Sequence, residues 1–427
     1  MKLNYLSFFI IFYLFTQPTY GQTGHVLNGS GARSFGMAGV GTGYATNPST
    51  ALTWSPAAIS KLPSSLEIST SLITLSPRNY AELDLSLLDS RLPLGSILAG
   101  NLEDDSKPTF LPTLSYIYNP DSRWSFGLTA AGIGGFGVDY QSSESSPVSL
   151  LFGDVKSQYR LFQISLTTAY EINDKLSIGF TPTFNWASLE LAPISTAVPM
   201  IVNGQVVYPS DDKTTSMGYG FHAGLFYDNN EDLSLGLTYK SRQYFEDFEY
   251  STRDGLGNLA RTPLDYPMII SVGGAYKGLK DLVLAVEARM INFSSTPGLG
   301  GRGFGSDLAV KGFGWDDAYF LGFGVEYFLS EPFIIRGGYS YNTNPVDEEL
   351  SFFSTAAPAL VQHAASLGST YTVNDFLEIS IGYHHGFKGT VEGPIITPSP
   401  EGGQSIPSLV RSSLATQVLS IDLTMFL

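Results

Sequence analysis

Along most of this chain apolar residues occupy every second position, and the alternation breaks at turns rich in asparagine, aspartate, proline and glycine. Met217-Gly-Tyr219-Gly-Phe221-His-Ala223-Gly-Leu225-Phe-Tyr227 is representative. A strand turns successive side chains to opposite faces, so a period of two marks a strand with one apolar face. The pattern predicts fourteen strands, at 65–76, 109–118, 123–138, 157–171, 175–190, 216–227, 232–248, 266–277, 281–294, 317–328, 333–343, 362–373, 376–388 and 414–427. Short turns at 119–122, 172–174, 228–231, 278–280, 329–332 and 374–375 alternate with long loops at 77–108, 139–156, 191–215, 249–265, 295–316, 344–361 and 389–413. An even number of antiparallel strands, with short turns at one end and long loops at the other, is the pattern of a membrane barrel. The predicted fold class is therefore all-β, a 14-stranded antiparallel transmembrane β-barrel over 65–427.

Tyr118, Tyr170, Tyr227, Tyr276, Tyr327 and Tyr371 each stand just ahead of a short turn, on the same face as the apolar residues before them. Amphipathic rings at the edge of an apolar band mark a membrane–water interface. The six predict an aromatic girdle at the short-turn rim. That rim is then periplasmic, with both ends of the barrel on it and the 191–215 loop outside. The other face is small and polar. By parity Lys240, Arg242, Arg289 and Arg336 point inward, as do Glu287, Glu326 and Glu378. A slip by one residue would turn such charges into lipid, at about 2–4 kcal/mol for a lysine or arginine at the midplane.

Composition agrees. The 427 residues include 45 glycines and no cysteine, with 13% aromatic but only 15% charged residues. Mean hydropathy is near zero, and no run of roughly 20 apolar residues follows the N-terminal stretch. Residues 1–21 read as a secretory signal, with Lys2, an apolar Leu6–Phe15 and a small-residue site at Thr19-Tyr20-Gly21. Without cysteine there is neither a lipid attachment site nor a disulfide. The net charge of −16 and the lack of a basic stripe exclude nucleic acid as a partner. The last strand carries its apolar set in register to Phe426 and Leu427. Outer-membrane lipids and the barrel-assembly machinery during biogenesis are the expected partners besides a cargo.

Residues 22–64 do not alternate, and Gly29 to Gly43 is too glycine-rich for a helix of any length. The segment is of a size to fit inside the barrel as a plug. Its Gly31-Ala32-Arg33-Ser34-Phe35-Gly36-Met37-Ala38-Gly39, followed by Ser55-Pro56-Ala57, resembles the N-terminal hatch of the FadL/TodX family. Asp317 to Tyr327, Ile335 to Val346 and Tyr266-Pro267 with Ser271 to Tyr276 resemble further stretches of that family. The family's hatch usually carries Asn-Pro-Ala, and this chain has Ser55 in the asparagine place. The resemblance implies a 22–64 hatch and passive passage of long-chain fatty acids or aromatic hydrocarbons across the outer membrane. It also implies a kinked third strand that opens the wall sideways, here at Gly132, Gly134, Gly135 and Gly137; the alternative reading of these residues is a loop that begins early near the external rim. A structural or secretion-associated scaffold and a general porin are the rival functions.

The candidate ligand-binding residues are of two kinds. Leu191, Ile194, Val198, Met200 and Ile201 are apolar in an external loop, as an interaction surface or a self-packed lid. Lys240, Arg242, Arg289 and Arg336 offer cations to a carboxylate among apolar walls. Arg33 in the hatch either pairs with a wall carboxylate or stands exposed. No catalytic, metal or cofactor site is predicted. Gly298 to Gly303 has dinucleotide spacing but no helix to follow it, and His384 and His385 face opposite ways. A serine meeting His384 across strands is the one enzyme-like arrangement the pattern allows.

Overall fold

In the computed structural model the structure describes residues 25–87, 91, 93, 95–120, 122–141, 155–191, 200–202, 204–207, 213–251, 259–306, 309–397 and 403–427. The 1–21 signal, Ile194 and Val198 lie outside these. Among the described residues fourteen antiparallel strands close on themselves. They are β1 (Ser65–Asp84), β2 in two pieces (Ile97–Asp104 and Thr109–Tyr118), β3 (Trp124–Gln141), β4 (Val155–Asn173), β5 (Leu176–Leu191), β6 (Thr214–Asp228) and β7 (Leu233–Lys240). There follow β8 (Met268–Leu279), β9 (Leu282–Asn292), β10 (Ala318–Ser330), β11 (Phe333–Asn342), β12 (His363–Asn374), β13 (Leu377–Thr397) and β14 (Gln404–Phe426). Each pairs with the next, and β14 closes on β1 from Ser65↔Phe426 to Leu83↔Ser408.

All fourteen strands fall where the alternation put them. Several run further: β1, β13 and β14 continue well into the stretches read as loops, where no lipid enforces a period of two. The six girdle tyrosines stand on the outer face at the short-turn rim. Trp124 packs beside Tyr170 with ring centres 4.7 Å apart, and Phe333 beside Tyr371 at 4.8 Å. Arg242 departs from its predicted face. Lys240 is opposite His222 on β6, whereas Tyr244 is opposite Tyr219, so β7 carries one extra residue between them. This bulge reverses the parity. The Arg242 guanidinium lies outside, 4.6 Å from the centre of the Tyr244 ring, with Asp265 at 3.4 Å.

Residues 25–62 lie inside the ring of strands, buried nearly throughout. Contrary to the sequence expectation they include a six-residue helix, α1 (Gly31–Gly36), besides α2 (Pro48–Trp54) and a 3₁₀ turn at Pro56–Lys61. Tertiary contact overrides the poor helix propensity of glycine here, because the small residues let the helix backbone touch the wall. A side chain at Gly382 on β13 would overlap the Ala32 carbonyl, and one at Gly236 on β7 would overlap that of Thr42. Carboxylates projecting inward grip the segment. Asp422 accepts the Ala32 amide at 2.7 Å, and Glu67 accepts Asn47 Nδ2 at 2.9 Å. Glu287 accepts the Gly41 and Thr42 amides at 2.6 and 2.7 Å, and Glu326 the Tyr44 hydroxyl at 2.6 Å. Glu378 pairs with Arg33. Buried carboxylates need such donors, and backbone N–H groups supply them.

Candidate functional site

Above the interior segment, toward the long-loop end, buried aromatic side chains pack together into one cluster, called the chamber below. Phe136, Tyr159, Phe248, Tyr266, Phe293 and Trp315 are among the buried residues that form it. Loop segments close its outer end: Trp315 Nε1 donates to Ser354 Oγ at 2.9 Å, within a 3₁₀ segment Glu348–Ala356. His25 projects into the chamber. Its imidazole lies nearly parallel to Phe136 and Tyr266, at 5.6 and 6.4 Å between centres. It meets Trp315 and Phe293 edge-on at 5.4 and 5.9 Å. Neither ring nitrogen has a hydrogen-bond partner. Burial among the rings pushes its pKa down to about 3, because a charged imidazole has no water or carboxylate here to replace its hydration.

Beside the chamber the wall is interrupted. The β2–β3 ladder runs from Tyr118↔Phe126 to Thr113↔Ala131 and resumes at Asp104↔Tyr140. Pro108 and Pro112 lack the N–H groups a ladder needs on β2. On β3 the register against β4 shifts between Gly132 and Gly134, which is the bulge that the glycines predict. The interior segment takes up the freed backbone. Gly135 N donates to His25 O at 3.0 Å, and Leu27 N donates to Ile133 O at 3.4 Å. Close approach is possible only because of glycine: a side chain at Gly134 would overlap the His25 carbonyl, and one at Gly132 the Leu111 side chain that fills the gap.

Among the described residues four Lys or Arg side chains are buried: Arg33, Lys240, Arg289 and Arg336. Three are consumed by structure. Arg289 pairs with Glu287 at 2.5 Å, donates to the Asn28 carbonyl at 2.7 Å and lies 3.5 Å from the centre of the Trp54 ring. Arg336 pairs with Glu326 at 2.5 Å and donates to Thr370 at 2.6 Å. Arg33 pairs with Glu378 and donates to the Thr46 carbonyl. Lys240 differs. Among the described residues no carboxylate pairs with it, and its ammonium lies 5.6 Å from the centre of the Tyr266 ring. It borders a cavity of about 10 Å³, room for a single water, together with Thr53, Trp54, Ile133 and Tyr266. Thr53 Oγ1 and Trp54 Nε1 have no hydrogen-bond partner among the described residues.

Of the external loop residues, Leu191 ends β5 and packs against the chamber. Met200 and Ile201 belong to a small hairpin of Met200–Val202 with Gln205–Val207. Within the motif that resembles a hatch Arg33 and Phe35 lie in α1, while Ser55 Oγ donates to the Thr42 carbonyl at 2.9 Å. Pro56 and Ala57 pack on Gly179 and Gly224 of the wall. His384 does meet a serine: Ser366 Oγ and His384 Nδ1 are 2.7 Å apart. Its hydrogen bonds include no carboxylate, and Phe35 of the interior segment covers it with ring centres 6.0 Å apart. His25, Thr53, Trp54 and Tyr266 were not legible as site residues, since nothing in their local pattern tells that the fold brings them together.

The family model "Outer membrane protein transport protein (OMPP1/FadL/TodX)" matches residues 17–393. The long-chain fatty acid transport protein of Escherichia coli is 22% identical over 329 residues, covering 68% of this chain and 72% of that protein. Outer membrane protein P1 of Haemophilus influenzae is 22% identical over 315 residues, covering 64% of this chain and 65% of that protein. A Pseudomonas aeruginosa FadL homologue superposes with a TM-score of 0.71 at 16% identity, covering 94% of this chain and 99% of that one. The toluene transporter TodX of P. putida gives 0.68 at 18% identity, with the same coverage. A closed barrel with an apolar outer face, matched by this model over most of its length, makes the chain a member of the OMPP1/FadL/TodX family of outer-membrane transport proteins.

Proposed function

We propose that this barrel passively carries long-chain carboxylates inward, holding the carboxylate at Lys240 and the apolar tail in the aromatic chamber. The observation that carries this reading is Lys240 itself. A buried ammonium without an anion is costly, and it stands with two orphaned donors, Thr53 Oγ1 and Trp54 Nε1, around one small cavity. Donors without acceptors suit an oxyanion. An aromatic hydrocarbon would leave all three unpaired, so the cation favours an acid over a purely apolar cargo.

In this reading residues 22–64 are a hatch. Capture begins at the external apolar surface that includes Leu191. Release follows when His25 to Leu27 withdraw, freeing the gap between β2 and β3 toward the membrane. The Leu427 amide donates to Ser64 O at 3.0 Å, so the C-terminus and the base of the hatch share the short-turn rim, which in this reading is the periplasmic one. The segment and loops that fill the lumen disfavour a general porin. The test is binding by the purified protein in detergent of an oleate-type carboxylate against an alkylbenzene of similar length, with uptake of both by cells with and without the gene. Tighter binding and gene-dependent uptake of the acid support the proposal; equal affinity, or uptake of the hydrocarbon alone, overturns it.

A further inference from the structure

On the outward face of β12, β13, β14 and β1 the apolar pattern ends in a polar patch. His363 stands opposite Tyr341 of β11. His385 is opposite Ala365 on one side and Gln417 on the other, and Gln417 is opposite Thr74 of β1. The patch lies at the far edge of the membrane band. His363 is eight residues along β12 from the girdle residue Tyr371, about 27 Å of strand. At the usual barrel tilt that is about 20 Å of depth, against an apolar band of about 25 Å. Tyr339, Tyr341 and Tyr383 surround the two imidazoles as a second girdle. The Tyr339 hydroxyl is 2.5 Å from His363 Nδ1, and Tyr383 is nearly parallel to His385 with ring centres 6.4 Å apart. With the hydroxyl donating to Nδ1, His363 carries its proton on Nε2 and can donate from the other side of the ring.

Two cations complete the patch. The β13–β14 register shifts between Gly386 and Gly389, and both glycines face inward. A side chain at Gly386 would meet Val361, and one at Gly389 would overlap the Leu360 carbonyl. Phe387 and Lys388 between them are therefore both left on the outer side, where both are exposed. Arg78 of β1 is exposed on the same face, opposite Ser413. Among the described residues neither Lys388 nor Arg78 has a carboxylate partner, whereas Arg411, beyond them on β14, is paired with Glu392 at 2.5 Å. Toward the short-turn rim Leu367, Ile381 and Leu419 are exposed and apolar, a surface for acyl chains. Three strand spacings, about 14 Å, separate β12 from β1, more than one phosphate can span. We propose that this patch seats an outer-leaflet lipid with a diphosphorylated headgroup, one phosphate at Lys388 and the imidazoles and the other at Arg78. In a chain of net charge −16, open cations at headgroup depth are complementary to phosphate, whose charged oxygens make strong hydrogen bonds. The inference rests on the orientation proposed above, which puts the long-loop rim outside, and not on the identity of the cargo.

The protein purified in nonionic detergent tests this by titration with lipid A carrying two phosphates, monophosphoryl lipid A and phosphatidylethanolamine, bound lipid being counted by native mass spectrometry. Two phosphates should bind about 5-fold tighter than one, the effect of one interfacial cation. Lys388→Gln and Arg78→Gln should each weaken the diphosphorylated form about 5-fold, and the double variant about 25-fold. In either single variant the two forms of lipid A should bind alike. His363→Phe with His385→Phe, which keeps rings at the interface but no donors, should weaken both forms. Folded-barrel mobility on unheated gels should stay as in the parent throughout. Equal affinity of the parent and the folded double variant overturns the site, and so does equal binding of all three lipids; the transport reading and the orientation then stand. Gln404→Cys, in a chain with no cysteine, reports the orientation separately. Labelling of intact cells by a membrane-impermeant maleimide puts the long-loop rim outside, as expected. Labelling only after the outer membrane is permeabilised overturns the orientation and this inference with it.

Discussion

The amide of Gly135 donates a hydrogen bond to the carbonyl of His25, 3.0 Å away. This contact joins the interior segment to the stretch of β3 that has no partner on β2. The first described residues of the chain serve there as a surrogate strand, so a change in the segment is felt at the wall.

Gly134→Val should therefore displace the segment rather than the barrel. The added side chain overlaps the His25 carbonyl, and overpacking of this kind costs about 1–3 kcal/mol. Hydrogen–deuterium exchange should show His25 to Leu27 losing protection while β4 and β14 keep theirs. Retained protection at His25 to Leu27 would mean that the segment is not held by this contact.

Lys240→Met should weaken binding of a long-chain carboxylate by about 10- to 100-fold, the range for loss of a hydrogen bond to a charged group. Affinity for a neutral alkylbenzene should hold. The barrel should be no less stable, because the substitution removes a buried cation that has no carboxylate partner. Titration by tryptophan quenching and urea unfolding in lipid check both halves.

The barrel was legible in the sequence because lipid imposes a local rule. Each residue from Leu233 to Tyr239 must alternate in or out, and a period of two records it. The rule fails where a bulge adds a residue, so Arg242 was read as inward and lies outside. Beyond the apolar band it says nothing, which is why β1 and β14 outran their predicted lengths. The fates of the inward cations were not legible either. Arg289, Arg336 and Lys240 share the same parity, yet only the register of neighbouring strands and the path of the interior segment decide which meet a carboxylate. Even the helix at Gly31–Gly36 depends on distant glycines in the wall, where no local propensity records it.

Glu287→Gln tests the grip on the segment. Glu287 holds Arg289 and the amides of Gly41 and Thr42 together. Removing its charge leaves Arg289 buried without an anion, and breaking a buried pair costs about 3–5 kcal/mol. Urea unfolding should shift to lower denaturant, and protease should reach the segment before the barrel. Replacing the pair together with Met at both positions should restore part of the loss, since no charge then remains unpaired.

His25 makes docking of the segment sensitive to acid. Its pKa is about 3 when docked against about 6.5 when free in water. Between these values the released state binds a proton that the docked state excludes. Docking is therefore strongest above about pH 6.5 and weakens as pH falls, by up to about tenfold per pH unit until about pH 3. Among the described residues the groups facing the imidazole are aromatic rings, with the Lys240 ammonium beyond Tyr266. The wall carboxylates that hold the segment do contribute acid sensitivity of their own, so the comparison is with His25→Phe, which keeps a ring in the chamber but takes up no proton. Exchange protection at Val26 and Leu27, followed from pH 7 to pH 4, should fall more steeply in the parent than in the variant. Parallel curves would show that His25 stays in the chamber irrespective of its charge.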